Sequence, residues 1–229
     1  MRHFNIIYCL LKYIYAVVVI LFYHFDSITS TMINKINFNN YEISQFYSCA
    51  NDTLTVTEKP TLNDYEIGEQ WTWNWRRSVN GEVRAQGEDY QEVVKFNKSI
   101  GIYNGNDTIQ IKTILNEKLS KTPRYDWPLK VGKKWTYEQT WENNEGTTGK
   151  TSQDVEVVSY DEVTVAAGKF MAYKIVYKGR ITNSRGFDGK LEDIWWYAPT
   201  IKTYIKHTQD DGEGLYVNEL IKYTSISKN

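Results

Sequence analysis

Large aromatic residues and polar residues alternate along much of the chain, first in Trp71-Thr72-Trp73-Asn74-Trp75. A period of two places every second side chain on the same face of a β-strand. The three tryptophans therefore share one face, and Thr72 and Asn74 share the other. From residue 64 onward no long segment repeats an apolar residue every three or four positions, as an amphipathic helix would require. The pattern predicts strands almost throughout this part of the chain.

The same aromatic pattern occurs twice in the sequence. Gly68 and Gly132 are each followed three positions later by tryptophan, then by threonine and another aromatic residue. The offset of 64 positions also relates Glu92-Val93-Val94 to Glu156-Val157-Val158. We interpret the two copies as a tandem repeat of one strand pair. The repeat units are residues 65–96 and 129–160.

Short turn sequences separate the predicted strands. Asn80-Gly81 is typical of a two-residue hairpin turn, and Asn143-Asn144-Glu145-Gly146 and Arg185-Gly186-Phe187-Asp188-Gly189 are longer turns. Because no helical segment is long enough for a crossover, the strands should be antiparallel. The sequence predicts an all-β fold, in which an antiparallel meander of about ten strands forms a closed or half-open barrel of lipocalin-like size. An N-terminal hydrophobic helix and a tether precede it.

The N-terminal segment has a different composition. Ile6 to Phe25 is mostly apolar and long enough to cross a bilayer as a helix. Lys12 interrupts it, and Tyr13 to Phe25 has the length of a signal-peptide apolar region, although only a weak cleavage site follows. A buried core helix and a translation start at Met32 are the alternatives. The predicted organisation is a signal peptide or membrane anchor at 1–30, a polar tether at 31–63 and a β-barrel-like domain at 64–229.

The N-terminal segment predicts that the rest of the chain is exported. Basic residues before the apolar run and Asp26 after it favour export of the rest of the chain, to the periplasm or the cell surface, with the N-terminal segment contacting the membrane. The two cysteines, Cys9 and Cys49, both precede the predicted domain, which therefore holds no disulfide. A lipid on Cys49 is an alternative to a plain thiol, and the polar segment before Cys49 favours the thiol.

Charge excludes one class of partner. Without Arg2 and Lys12, the chain has 25 basic and 28 acidic residues. Such a balance offers no electrostatic footprint for nucleic acid or anionic lipid. We therefore expect no nucleic-acid partner.

Residues for catalysis are sparse. His207 is the only histidine in the predicted domain, with no Gly-x-Ser-x-Gly sequence and no phosphate-binding glycine motif, so we expect no enzyme, no cofactor and no metal. A glycoside hydrolase using Glu192 or Glu138 is a remote alternative. Glu192 and Asp193 are adjacent on a predicted strand and point to opposite faces, so they do not share one cleft. Asp210-Asp211-Gly212-Glu213 suits a hairpin turn better than a calcium loop.

Three sequence pieces occur in a characteristic order. They are Pro128-Leu129-x-Val131-Gly132-x-x-Trp135-x-Tyr137, then Val163-x-Val165-x-Ala167-Gly168-x-Phe170-x-Ala172-x-Lys174-Ile175, then Trp196-Tyr197-Ala198-Pro199. Together they resemble the domain of unknown function 3108-like family of exported bacterial β-sheet proteins, over about residues 65 to 223. The resemblance implies a twisted antiparallel sheet or barrel in an exported, often membrane-attached protein. It transfers no catalytic residues.

Aromatic density is the strongest compositional signal. All eight tryptophans lie between Trp71 and Trp196, where they serve either as core residues or as the wall of an apolar or glycan-stacking cavity. We expect a non-catalytic, exported or membrane-tethered β domain that binds a hydrophobic small molecule or lipid. A structural or interaction module with a solid core is the alternative. The predicted ligand-binding residues are Trp71, Trp73, Trp75, Trp135, Tyr137 and Trp141.

Overall fold

A computed structural model describes residues 56–115 and 121–226. Within these ranges, short 3-10 turns cover Leu62–Asp64 and Pro199–Ile201. The strands and the helix are β1 Val56–Thr57, β2 Gln70–Val79, β3 Glu82–Phe96, β4 Ser99–Tyr103, β5 Thr108–Gln110, α1 Ile111–Leu115, β6 Leu129–Lys130, β7 Lys134–Glu142, β8 Thr148–Val165, β9 Gly168–Asn183, β10 Asp188–Ala198, β11 Thr203–Asp210 and β12 Leu215–Thr224.

Ten of these strands form one antiparallel sheet in the order β5-β4-β3-β2-β12-β11-β10-β9-β8-β7. Strands β1 and β6 form a separate two-stranded sheet. The edge strands β5 and β7 do not pair with each other, so the sheet is not closed. The predicted all-β, antiparallel fold is confirmed, and the open sheet is consistent with the half-open form of the barrel.

No helix in the described ranges is long and apolar enough to cross a membrane. The apolar run Ile6 to Phe25, most of the predicted tether, and both cysteines lie outside these ranges. The predictions of a signal peptide or anchor, of the domain boundaries and of a plain thiol at Cys49 therefore stay predictions.

The sheet consists of two meanders joined at one seam. Strands β2 to β5 follow one another outward in one direction, and β7 to β12 lead back from the other edge. The seam is the antiparallel pairing of β12 with β2, in which Tyr223 lies opposite Trp71 and Leu220 lies opposite Trp73. The last strand of the chain therefore joins the two meanders by pairing with β2.

The two hairpins that contain the repeated sequences have the same register. Gln70 lies opposite Glu92 in the β2–β3 hairpin, and Lys134 lies opposite Glu156 in the β7–β8 hairpin. Both partners are shifted by 64 positions, the offset of the repeated sequence. The two copies thus have the same strand pairing where they begin.

Each hairpin also begins with the same backbone hydrogen bonds. The N–H of Gly68 donates to the carbonyl of Val93 over 2.8 Å, and that of Gly132 donates to Val157 over 2.7 Å. Both glycines have positive φ angles, 92° and 86°, which glycine adopts without the steric cost of a side chain. This conformation accounts for glycine at the start of both copies.

The apolar interior is divided into two clusters. The first includes Trp71 and Trp73, which are 2% and 1% exposed, and packs around the β2–β12 seam. The second lies on β6 to β10 and is rich in tyrosine. Its buried members are Leu129, Tyr137, Val155, Val157, Tyr173, Ile175, Tyr177 and Tyr197.

A buried ion pair lies beside the seam. The Oε1 atom of Glu69 accepts hydrogen bonds from Lys202 Nζ at 2.5 Å and from the Tyr223 hydroxyl at 2.7 Å. The ammonium group of Lys202 also lies 5.4 Å from the ring centre of Tyr65 and 5.9 Å from that of Trp71. The two side chains are only 3% and 12% exposed, so each compensates a charge that would otherwise be buried alone.

Replacing Lys202 by methionine is expected to destabilise the fold by about 3–5 kcal/mol, because it leaves the Glu69 carboxylate buried without its cation. The matched control is Lys206→Met, which breaks a 3.2 Å pair with Glu219 whose side chains are about one-third exposed and should cost less than about 1 kcal/mol. Urea unfolding of the unmodified protein, Lys202→Met and Lys206→Met gives the three free energies of unfolding. Equal losses for both substitutions would contradict the role of the buried pair.

Gly179 lies in β9, an interior strand of the sheet, where it pairs with Gln153 and Leu191. A Cβ atom at this position would lie 1.9 Å from the Ser152 carbonyl oxygen. Backbone atoms cannot move away as a flexible side chain can, so Gly179→Ala is expected to cost about 3 kcal/mol or more. Gly146→Asn is the control, because Gly146 lies in a turn at φ 74° with open space around it, where asparagine is tolerated. A thermal melt in which Gly179→Ala matches the unmodified protein would contradict the prediction.

Candidate functional site

A cavity of about 430 Å³ lies on one face of the sheet. Asp89 of β3 and Trp141 of β7 both line it, although their strands are seven places apart in the sheet order. The sheet therefore curves around the cavity. Its lining comes from β3, from β7 to β12 and from the segment 121–128. The lining residues are Asp89, Arg124, Tyr137, Gln139, Trp141, Thr151, Gln153, Tyr177, Ile181, Leu191, Asp193, Trp195, Tyr204, His207, Gln209, Tyr216 and Asn218.

Asp193 is the centre of a buried polar network in the cavity lining. The side chain of this β10 residue is 8% exposed. Its Oδ2 accepts a hydrogen bond from Gln153 Nε2 at 2.7 Å. Its Oδ1 lies 2.8 Å from His207 Nε2 and accepts from Gln209 Nε2 at 2.9 Å. One donor from β8 and two from β11 thus form hydrogen bonds with one buried carboxylate, as burial of a charge requires.

His207 is held between Asp193 and an aromatic ring. It lies opposite Trp195 in the β10–β11 pairing, and the two rings stack with centres 3.7 Å apart and an angle of 14°. Burial lowers the pKa of His207 below its usual 6.5, and the hydrogen bond with Asp193 offsets only part of that shift. The imidazole is therefore neutral near pH 7, with its Nε2–H donating to the carboxylate.

Arg124 enters the cavity from the segment that joins the two repeats. Its guanidinium carbon lies 4.9 Å from the ring centre of Trp195 and 5.4 Å from that of Tyr137. Its Nη2 donates to the Tyr137 hydroxyl at 3.1 Å. The backbone of the segment is held by the Tyr177 hydroxyl, which donates to the Arg124 carbonyl, and by the Trp135 indole, which donates to the preceding carbonyl at 2.9 Å. These contacts fix a positive charge over aromatic faces.

A second set of polar groups lies on the opposite wall. The Asn218 amide donates to Asp89 Oδ2 at 3.0 Å and to the Tyr204 hydroxyl at 3.2 Å. Burial is the main cause that raises the pKa of Tyr204 and of Tyr216, so both phenols stay protonated at neutral pH. This wall therefore presents neutral hydroxyl and amide groups together with the Asp89 carboxylate.

Two of the six aromatic residues selected from the sequence, Tyr137 and Trp141, line the cavity. Trp71 and Trp73 belong to the buried core at the seam, and the Trp73 indole donates to the Tyr204 carbonyl at 3.0 Å.

The other two residues of the predicted set are packed elsewhere in the fold. Trp75 stacks on Tyr216 with ring centres 6.2 Å apart, and Trp135 packs edge-on against Tyr177. The structure therefore does not bring the six residues together as one wall.

No sequence motif identifies the polar residues of the cavity, but alternation within β10 gives a signal for one of them. Asp193 lies two positions before Trp195, so a period of two places both on the inner face. Glu192 lies on the other face, where it pairs with Lys178 at 3.0 Å, and Glu138 pairs with Lys150 at 3.0 Å. The two carboxylates considered for hydrolysis thus form surface ion pairs.

The described residues do not bring three His, Cys, Asp or Glu side chains together around a possible metal position. In the turn at Asp210-Asp211-Gly212-Glu213, the aspartate side chains accept backbone N–H groups, from Gly212 at 2.8 Å and from Glu213 at 3.0 Å. Asp211 also pairs with Arg77 at 3.0 Å. These contacts are those of a hairpin turn.

Comparison with known proteins gives likenesses at the level of shape only. No family model matches the chain, so the family resemblance stays a prediction, and no curated protein matches either. One similar solved structure is described as a lipoprotein candidate from Parabacteroides distasonis, with 11% identity, coverage of 69% of this chain and 96% of that chain, and a TM-score of 0.44.

Two other solved structures are similar with TM-scores of 0.34. One is described as a candidate exported protein with a YmcC-like fold from Bacteroides fragilis, at 14% identity over 75% of this chain and 100% of that chain. The other is the hypothetical lipoprotein YmcC from Escherichia coli, at 8% identity over 80% of this chain and 97% of that chain. Likeness at this level gives no basis for transferring a function to this chain.

Protonation of His207 is expected to couple stability to pH. Because the folded pKa lies below the unfolded value of about 6.5, the unfolded chain binds the proton first as the pH falls. Stability is therefore complete above about pH 6.5 and decreases as the pH drops towards the folded pKa. Urea midpoints measured between pH 8 and 5 should show this decrease, and His207→Gln should reduce it. An equal decrease in His207→Gln would assign the effect to other groups.

Proposed function

We propose that the domain is a non-catalytic binding domain and that its cavity takes a small polar ligand containing one or two rings, of the saccharide type. The observation that carries this proposal is the composition of the lining, in which aromatic faces alternate with amide, hydroxyl and carboxylate groups. The volume of about 430 Å³ falls within the ~300–1,000 Å³ range of small-molecule sites.

Aromatic rings provide the apolar part of such a site. Trp141 and Trp195 line the cavity together with four tyrosines. The face of an aromatic ring is electron-rich and attracts the positive edge of C–H groups. A sugar ring presents C–H groups on its flat face and hydroxyl groups around its rim, so it matches a cavity that has both kinds of surface.

Polar side chains provide the rest. Three glutamines, at positions 139, 153 and 209, and Asn218 and Thr151 line the cavity. Amides and hydroxyls both donate and accept hydrogen bonds, as binding of a hydroxyl-rich molecule requires. Only two aliphatic side chains, Ile181 and Leu191, line the cavity. This composition favours a polar ligand over the hydrophobic molecule or lipid expected from the sequence.

The arrangement around His207 supports binding rather than catalysis. Activation of a nucleophile requires a hydroxyl or thiol that hydrogen-bonds the histidine. Within the described part of the chain, the hydrogen-bond partner of His207 is Asp193, and its ring is covered by Trp195. The Asp193–His207 pair thus acts to position polar groups in the cavity wall.

We also propose that the domain works outside the cytoplasm, either in the periplasm or at the cell surface. The apolar run Ile6 to Phe25, with basic residues before it and Asp26 after it, supports this location. A saccharide-binding domain held at a membrane by its N-terminal segment would meet its ligand in the cell envelope.

Binding to a panel of neutral and acidic saccharides tests the proposal. The full chain is kept in a detergent without a sugar headgroup, and affinity is measured by calorimetry. Trp141→Ala is expected to weaken binding by about tenfold, because loss of a stacking surface costs ~1–2 kcal/mol.

The matched control is Trp196→Ala. Trp196 lies on the other face of the sheet between Lys174 and Lys206, so its loss should leave the affinity unchanged. Absence of binding to every saccharide, combined with displacement of a fluorescent fatty acid by lipid, would replace this proposal by lipid binding. Absence of both kinds of binding would favour an interaction module.

A further inference from the structure

We infer that the ligand of this cavity carries a carboxylate group, which the guanidinium of Arg124 binds at the mouth of the cavity. The ligand would then be an acidic saccharide of the uronic-acid type. This inference deepens the proposed function and rests on it. It is carried by the hydrogen-bonding state, position and surroundings of Arg124.

Arg124 has hydrogen-bonding capacity that the described part of the chain does not use. A guanidinium group has five N–H donors, and the hydrogen bond from the Arg124 side chain goes to the Tyr137 hydroxyl. The other donors have no acceptor among the residues 56–115 and 121–226. The same ranges place no carboxylate within ion-pair distance of Arg124, although eleven other Lys or Arg side chains there form such pairs.

The position of Arg124 suits a ligand rather than a structural partner. Arg124 is a solvent-exposed residue that lines the cavity, so a soluble molecule can reach its guanidinium group. The lining contains no other arginine and no lysine, and His207 is neutral near pH 7 because burial lowers its pKa. Arg124 is therefore the positive charge that an incoming molecule meets in the lining.

The surrounding groups hold the guanidinium in place before a ligand arrives. The rings of Trp195 and Tyr137 lie 4.9 Å and 5.4 Å from its central carbon, and Tyr177 fixes the backbone of the same residue. Preorganisation of this kind reduces the entropy lost on binding. A planar fork held in this way is matched to the two oxygens of a carboxylate, which accept two parallel N–H bonds.

The buried carboxylate of the lining determines which end of the ligand is charged. Asp193 is buried and is satisfied by three donors, and Asp89 accepts from the Asn218 amide. The negative charge of the buried Asp193 carboxylate repels an anionic group placed beside it, whereas its hydrogen-bond partners tolerate neutral hydroxyls. The acidic group of the ligand is therefore placed at the mouth beside Arg124, with the neutral part of the ring inside.

Matched pairs of sugars test the inference, namely methyl glucuronide against methyl glucoside and methyl galacturonide against methyl galactoside. Calorimetry on the full chain, in a detergent without a sugar headgroup, should show at least one acidic sugar binding about tenfold or more tightly than its neutral partner, as expected for a hydrogen-bonded charge pair. Arg124→Gln should remove this difference. Arg124→Lys, which keeps the charge but loses the fork, should retain only part of it.

Arg185→Gln is the matched control, because Arg185 is exposed in a hairpin turn and pairs with Glu145, away from the cavity lining. It should leave the difference between acidic and neutral sugars unchanged. Raising the salt concentration from 20 to 500 mM should weaken binding of the acidic sugar to the unmodified chain more than that of the neutral sugar. This second measurement does not depend on the folding of a variant.

The outcomes separate the two proposals. A preference for the acidic sugar that requires Arg124 and is sensitive to salt supports the inference. Equal affinity for acidic and neutral sugars overturns the inference and leaves the proposed function intact. Failure of both sugars of every pair to bind overturns the inference and the saccharide assignment together.

Discussion

Pairing between β12 and β2 is the constraint on which the rest of the structure depends. Within each of the two meanders, every strand pairs with the strand next to it in the sequence. This local pairing does not fix the position of one meander relative to the other. The β2–β12 ladder, with Trp71 opposite Tyr223, makes them one sheet of ten strands. The largest buried side chains of the first core and the Glu69–Lys202 pair lie beside this ladder. Burial of apolar surface and of a paired charge therefore stabilises the least local contact in the fold.

Curvature of that sheet produces the cavity. Strands seven places apart reach the same space, as the right-handed twist of a large open sheet allows when its edges do not meet. Close contacts of indole rings with glycine support this shape in both hairpins: a Cβ at Gly87 would lie 2.9 Å from the Trp75 ring, and one at Gly149 would lie 2.2 Å from the Trp141 ring. Glycine at these positions lets a large ring lie flat against the neighbouring strand.

The sequence predicts the local part of this architecture and misses the part that depends on curvature. Alternation and turn residues identify the strands and their antiparallel order, because both are local properties. Alternation and turn residues do not identify which side chains line the cavity. Trp73 and Trp141 lie in strands with the same alternating pattern, but Trp73 is buried in the core and Trp141 lines the cavity. Which inner-face residue is sealed depends on how far the sheet curls. Contacts between distant strands decide that, and alternation does not encode it.

Arg124 shows how the repeat and the candidate site are related. The two copies of the hairpin have the same register and the same opening hydrogen bonds, so these shared features serve pairing and cannot distinguish one ligand from another. Arg124 belongs to neither repeat unit and lies in the segment between them. That segment is held against the second copy through the Trp135 indole and the Tyr177 hydroxyl. The repeated hairpins therefore supply the curved aromatic surface, and the connection between them supplies the charge that gives this surface its chemical selectivity.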